Sequence, residues 1–201
     1  MKFTQKNKGN KSGGMKMLHH TGTCYLETER LILRPFKLTD AEDAFKNWTN
    51  DDEVTRYLSW PTHTNIDVTR HVIQLWEKAY EQPNVYQWAI IHKVDNEVIG
   101  SISLLNVNDK EACVEAGYCL SKQYWKQGIT PEALSKVLDL AFNEVGFKRI
   151  TARHHIDNEP SGRVMKKVGM TFDKVVQNDV EDNQGNLTAC AYYKIEADDW
   201  K

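Results

Sequence analysis

The first chemical signal in this chain is a glycine between a β-rich run and a helical stripe. In YWKQGITPEAL, Tyr124 to Leu134, Gly128 lets the backbone come close to a ligand. The amides of Gln127, Gly128, Ile129 and Thr130 lead into a helix N-terminus, where partial positive charge gathers. Such amides make a nest for an anion, and a pyrophosphate suits it. A plain tight turn would use the same residues. Neither G-x-x-x-x-G-K-[ST] nor G-x-G-x-x-G occurs, which sets aside a P-loop and a dinucleotide fingerprint. The second signal is NEPSGRVMKKVGMTF, Asn158 to Phe172. Asn158 is suited to cap a helix, and Ser161 would sit in its first turn, where a hydroxyl is usually only solvated. Both fall at the carboxyl end of a strand beside the glycine loop, which is where open α/β sheets bind ligands. Cys24, Cys113, Cys119 and Cys190 form no C-x-x-C pair, and His19, His20, His63, His71 and His92 show no metal-ligand spacing. The thiols are therefore read as free, with no metal site.

The elements that must position these residues are legible from periodicity. Cys24 to Phe36 reads as a first strand with Leu31 and Leu33 on one face. Thr39-x-x-Glu42 and Thr64-x-x-Asp67 read as capping boxes that open two helices. The second carries Val68, Val72, Leu75, Trp76 and Ala79 at helical spacing. Three strands follow, Tyr86–Lys93, Glu97–Val107 and Glu111–Leu120, joined by short polar turns as an antiparallel meander. A long helix spans about Thr130 to Val145, with Leu134, Val137, Leu138, Ala141, Phe142 and Val145 in one stripe. Pro131 stands in its first turn and Gly146 just past its end. The strand Arg149–Ile156 completes a right-handed parallel crossover. A short helix runs from near Asn158 to Gly169, and Phe172–Val180 with Leu187–Ile195 makes a closing hairpin. The expectation is an α+β fold: a mixed, mostly antiparallel sheet of about seven strands, one β-α-β crossover and about four helices.

Composition narrows the classes. Of 201 residues, 40% are hydrophobic and 27% charged, with six Trp, eight Tyr and six Phe, enough apolar area for a real core. No run approaches the ~20 apolar residues of a membrane span. Residues 1–17 hold five lysines and no acid, and are read as a disordered basic tail ahead of one domain over residues 18–201. Without those lysines, 21 of the 26 basic residues face 28 acids. That balance argues against a nucleic-acid surface and suits a cationic small molecule or peptide. With no secretory pattern the reading is cytoplasmic.

Together, TERLILRPF (Thr28–Phe36), VTRYLSW (Val54–Trp60), EAGYCL (Glu115–Leu120), YWKQGITPEAL and NEPSGRVMKKVGMTF resemble, in order and spacing, the GNAT acetyltransferase superfamily. The likeness is to its branch of ribosomal-protein N-terminal acetyltransferases, and it covers about Thr28 to Ile195. It implies acetyl transfer from acetyl-CoA, a cosubstrate, to a primary amine such as a protein N-terminus, a polyamine or another small amine. It implies that the Leu120 backbone lies along the pantetheine arm, that Gln127 to Thr130 hold the pyrophosphate, and that Asn158 contacts a pantetheine amide. Trp125 and Thr130 depart from the family's loop pattern, with Thr130 expected to double as a helix cap. Met165 stands where many relatives have a proton-donating Tyr, leaving Ser161 or a water to protonate the thiolate. Glu115 is the first candidate for the base that deprotonates the amine, against a plain strand-surface charge. His154 and His155 are the alternatives, against packing roles. Tyr57 and Trp60, with Asp51, Asp52 and Glu53, lie where the acceptor site is often shaped, although Trp60 as a core plug fits too. Dimers are common among such enzymes, so a homodimer is implied. The rival from another class is a non-catalytic acyl-CoA-binding or partner-binding module on the same fold.

Overall fold

A computed structural model describes residues 17–201; the lysine-rich tail expected to be disordered lies, but for Met17, outside the described residues. Eight strands form one sheet in the order β1-β2-β3-β4-β5-β6-β8-β7. They are β1 (Leu26–Glu27), β2 (Leu31–Pro35), β3 (Tyr86–His92), β4 (Glu97–Asn108), β5 (Cys113–Leu120), β6 (Arg149–His155), β7 (Thr171–Glu181) and β8 (Leu187–Glu196). Every pairing is antiparallel except β5 with β6. Among the described residues five α-helices accompany it: α1 (Ala41–Ala44), α2 (Asp52–Thr55), α3 (Ile66–Ala79), α4 (Ile129–Asp139) and α5 (Glu159–Lys167). No described helix is long and apolar enough to cross a membrane.

The expected first strand is in fact two, which raises the strand count from seven to eight. Thr28 makes the break: its N–H donates to the Leu31 carbonyl and its hydroxyl accepts the Leu31 N–H, both at 3.0 Å. The turn folds Leu26 back opposite Leu33. Glu132 of α4 pins it, accepting from the Thr28 hydroxyl at 2.6 Å and the Arg30 N–H at 3.0 Å.

Helix α4 follows its stripe closely. Ala133, Leu134, Val137, Leu138 and Ala141 are fully buried against Trp88, Ile102 and Ile150 of the sheet, each larger side chain worth roughly 1.5–3 kcal/mol. The helix continues as a π turn, Leu140–Val145, and stops at Gly146, whose φ of 93° favours glycine.

Helix α3 departs from its expected stripe. Thr69 and Ile73 face inward, while Val68 and Leu75 are exposed. Polar tethers set this rotation. The Thr69 hydroxyl lies 2.9 Å from that of Thr49 and 2.8 Å from His63 Nδ1. Just past the helix, the Tyr80 hydroxyl donates to the Gln87 carbonyl at 2.7 Å and accepts the Phe36 N–H at 2.9 Å. The caps also differ from expectation. Asp40, ion-paired with Arg34, accepts the Lys37 N–H at 2.8 Å and starts a 3₁₀ turn, so Thr39-x-x-Glu42 is not the cap. Asn65, not Thr64, caps α3 through the Asp67 and Val68 amides.

The feature that makes a site is where pairing stops. The β5–β6 ladder runs from Cys113↔Arg149 to Ala116↔Ala152 and ends there. Beyond it, β5 stays on β4 as far as Leu120, and β6 stays on β8 as far as His155. Ile99 is the extra residue of a bulge, and Gly100 beside it packs tightly on β5. A Cβ at Gly100 would lie 2.4 Å from the Cys119 carbonyl oxygen and 3.1 Å from Leu120 Cα. Gly100→Ala must therefore push β4 from β5, at about 1–3 kcal/mol, lowering Tm by roughly 2–12 °C in a chain of this size. Thermal unfolding by circular dichroism checks this; an unchanged Tm would show that the close approach is not required.

Candidate active site

The parted ends of β5 and β6 open onto two cavities. One, of about 550 Å³, lies between the N-terminus of α4 and the first turn of α5. The other, of about 520 Å³, lies on the opposite side, between the sheet and the α1–α3 layer. Tyr57, Tyr118, Cys119, Asn158 and Ser161 line both, so the cavities adjoin at the parting.

The first cavity has the features of an anion site. Gly128 precedes α4 with φ 77°, and Lys126 is also left-handed, at 63°. No side chain caps α4, so the amides of Ile129 and Thr130 have no partner among the described residues. Thr130 is buried and makes no cap, contrary to expectation. Lys126, Arg163 and Lys167 line the cavity. Arg30 Nη2 and Lys167 Nζ lie 3.6 and 3.7 Å from where a Gly128 Cβ would stand. Uncapped amides and cations at a helix N-terminus attract phosphate. Gln127 does not line the cavity: its carbonyl accepts from Arg30 at 2.9 Å and its side chain donates to the Gln123 carbonyl at 2.8 Å.

At the parting, Ser121 donates its N–H to Ile99, so Leu120 is a non-hydrogen-bonded partner of Gly100. Its own N–H and C=O therefore turn away from β4, toward the gap. The carbonyl is taken by Trp125 Nε1 at 2.8 Å. The Asn158 side chain makes no cap bond and has no partner among the described residues, although it lines both cavities. Ser161 meets a residue that sequence reasoning missed. The Tyr118 hydroxyl lies 2.9 Å from both Ser161 Oγ and the Ser161 carbonyl. Burial pushes the Tyr118 phenol well above its ordinary value, so it keeps its proton. Met165 is buried core.

Glu115 sits at the foot of the parting, opposite Thr151 and one pair before the ladder ends. Alternation puts it on the opposite face of β5 from Tyr118. Arg153 Nε holds one carboxylate oxygen at 3.1 Å and the Asn106 amide donates to the other at 3.1 Å. Asn106 reaches it from a bulge in β4. Arg153 continues to the Tyr192 hydroxyl at 3.0 Å, which donates to Asp179 at 2.7 Å. The two histidines of β6 part as strand alternation requires. His154 packs into α5, its Nδ1 on the His155 carbonyl and its Nε2 without a partner; burial lowers its pKa. Both histidines border the second cavity, where the His155 ring lies 4.9 Å from that of Tyr57.

Tyr57 and Trp60 both line the second cavity, but the acids expected beside them do not. Asp51 caps α2, Asp52 accepts from the Thr62 hydroxyl, and Glu53 pairs with Lys122. Among the described residues, no group of three or more His, Cys, Asp or Glu is arranged to hold a metal ion.

Comparison with known proteins agrees with this architecture. Residues 30–171 match the acetyltransferase (GNAT) domain family. An uncharacterized N-acetyltransferase, YoaA of Bacillus subtilis (strain 168), is 34% identical over 158 residues, which are 79% of this chain and 89% of that protein. Another, p20 of Bacillus licheniformis, is 30% identical over 162 residues, 81% and 90% of the two chains. In fold, the structure is similar to a ribosomal-protein-S5-alanine acetyltransferase from Vibrio fischeri, with a TM-score of 0.77 at 19% identity, over 89% of this chain and 99% of that one. A sheet that parts beside an uncapped helix thus comes with a family match over most of its length: the chain is an acetyltransferase and belongs to the GNAT family, whose cosubstrate is acetyl-CoA.

Proposed function

We propose that the chain carries an acetyl group from acetyl-CoA to a primary amine by direct attack on the thioester. The observation that supports this is the separation of two proton-handling groups across the parted strands. Glu115 lies on the face of the α1–α3 cavity, and Tyr118 with Ser161 lies toward α5. The Ile129 and Thr130 amides, with Lys126 and Lys167, would hold the pyrophosphate, with Gly128 keeping the approach open. The Leu120 N–H and the Asn158 amide would bind the amides of the pantetheine arm, and acetyl-CoA supplies the activated acyl group.

An amine at neutral pH is mostly ammonium and must lose a proton before it attacks. Glu115, tethered at both oxygens, is the proposed acceptor of that proton, directly or through water. The new bond is N–C and the broken bond is C–S. The departing sulfur would leave as a thiolate hydrogen-bonded by the Ser161 hydroxyl, which Tyr118 orients, and take up a proton through water, balanced by the second proton that the nitrogen loses as the amide forms. Tyr57 and Trp60 would line the path of the acceptor. A protein N-terminus, a polyamine and another small amine all offer the required nitrogen.

Thiol release from acetyl-CoA, followed across a panel of amines, tests the reading. Amine-dependent release is expected, and Glu115→Gln should lower kcat/KM on the order of 10²-fold near neutral pH. Raising the pH should partly restore the variant, since a neutral amine needs no base, and CoA affinity should hardly move. Near-normal activity in Glu115→Gln would transfer the base role to another group. No amine-dependent release at all would contradict the activity.

The phosphate site has its own test. Gly128→Val forces a β-branched residue into a left-handed φ at the mouth of the nest. CoA affinity by calorimetry should fall at least about tenfold, or 1.4 kcal/mol, with the circular dichroism spectrum kept. Unchanged affinity would move the pyrophosphate elsewhere.

A further inference from the structure

The cavity on the α1–α3 side is larger than an amine nitrogen requires; its charged lining, Glu115, Arg153, Glu181 and Asp182, comes from β5, β6 and the β7–β8 hairpin, and its aromatic lining from the helical side. Its floor is Ser101 and Ser103 of β4 and Gly117 of β5, with Ser103 directly opposite Gly117. On this face Ser101 and Ser103 are flanked by Ala89 and Gln87 of β3 and by Cys119 and Gly117 of β5, so the sheet face stays low. Its roof is Trp60, Trp76 and His63 from the helical layer. The space between is a slot roofed by aromatic rings above a low floor, with the Trp60 and His63 rings 5.3 Å apart and tilted by 48°. Its volume, about 520 Å³, falls in the range of small-ligand sites.

His63 gives the slot a polar mark. Its side chain is more than nine-tenths buried, and Nδ1 is held 2.8 Å from the Thr69 hydroxyl, itself bonded to Thr49. Nε2 has no hydrogen-bond partner among the described residues, and the residue lines the slot. Burial lowers the pKa of His63, so the ring is neutral near pH 7. A neutral imidazole nitrogen among aromatic rings suits one uncharged polar atom, not a second cation. Most of the acids that could recognise a polycation are committed elsewhere, Glu181 of the cavity lining being the exception, with no ion pair among the described residues. Asp51, Asp52 and Glu53 are held by local partners, Glu115 is paired with Arg153, and Asp182 closes its own turn through the Gln184 and Asn186 amides.

We propose that this slot receives an aromatic ring carried by the acceptor a few bonds from its amine, with His63 Nε2 hydrogen-bonding a polar atom on that ring. The acceptor class is thus an amine bearing an indole or a phenol. A free arylalkylamine and an aminoacyl amide with an aromatic side chain share this chemistry. The proposal rests on the acyl-transfer reading for the amine's direction, but the slot itself can be tested by binding alone.

The test is calorimetry on the full chain with tryptamine, tyramine, tryptophanamide, tyrosinamide, ethylamine and spermidine, repeated with Ser103→Leu, which raises the floor. The four aromatic amines are expected to bind at least tenfold more tightly than ethylamine or spermidine. Ser103→Leu should remove at least tenfold of that advantage and leave CoA affinity unchanged. Should Ser103→Leu fail to fold, Ser101→Leu raises the same floor two residues back along the strand. With phenethylamine added as a ring without a polar atom, His63→Phe, which keeps a ring, should narrow the preference for tyramine over phenethylamine. The better of the amide and free-amine pairs identifies the source. Spermidine binding as tightly as tryptamine, or a folded Ser103→Leu that binds tryptamine normally, would overturn the proposal. Turnover is read separately. Aromatic binding without acetylation would refute the acyl-transfer reading and leave the slot standing. Acetylation of ethylamine or spermidine without aromatic preference would do the reverse.

Discussion

The arrangement depends on a hydrogen-bond ladder that ends early. Strands β5 and β6 pair for four residues and then part after Ala116 and Ala152. Each is still held on its outer side, β5 by β4 and β6 by β8, so neither strand unravels. The inner edges of both are left with backbone groups that have lost their partner, a situation a folded chain tolerates only where water or ligand supplies the missing bonds. A pantetheine arm, itself a chain of amides, is chemically suited to stand in for the missing strand. In this account the cosubstrate is bound because the sheet is incomplete, and the parting brings acceptor and thioester together from opposite faces.

The rest of the fold keeps that gap open and placed. Helix α4 is held by its buried stripe, so its uncapped N-terminus cannot drift from the end of β5. Glu132 ties the same helix turn to Thr28 and Arg30, and Arg30 in turn reaches the Gln127 carbonyl beside the glycine. The pair Arg30–Glu132 is largely a positioning contact. Burial opposes the Glu132 charge, yet the Thr28 and Arg30 bonds outweigh it and hold the carboxyl below its ordinary value. The bulge at Ile99 and the tight packing of Gly100 on Cys119 lie four pairs past the end of the ladder and hold the far end of the parted stretch of β5 against β4. Tyr118 then bridges to Ser161 across the opening, fixing α5 to the free end of β5.

Much of this could be read from residues in order. The α4 stripe was legible because every one of its positions packs on the same apolar layer, and the glycine loop because left-handed backbone and a helix start leave a local signature. The capping boxes at Thr39 and Thr64 were misleading. Asp40 has Arg34 to pair with and Asn65 is the better-placed amide, and these are tertiary and one-residue matters that a spacing rule does not resolve. Periodicity misread the rotation of α3 because a buried Thr49–Thr69–His63 chain outweighs the exposure of Val68 and Leu75. The acids of residues 51–53 looked like a cation site, but each is consumed by a neighbour. Tyr118 went unnoticed because its partner is 43 residues away, and nothing local marks a tyrosine that will face a parted strand.

The central claim is that the missing stretch of ladder is the cosubstrate site. Amide hydrogen exchange with and without CoA reads it directly, residue by residue. The account predicts new protection at residues 117–121, 128–130 and 158–161, with little change on the outer edges of β4 and β8. Protection confined to other segments, or none in these three despite saturating CoA, would contradict it.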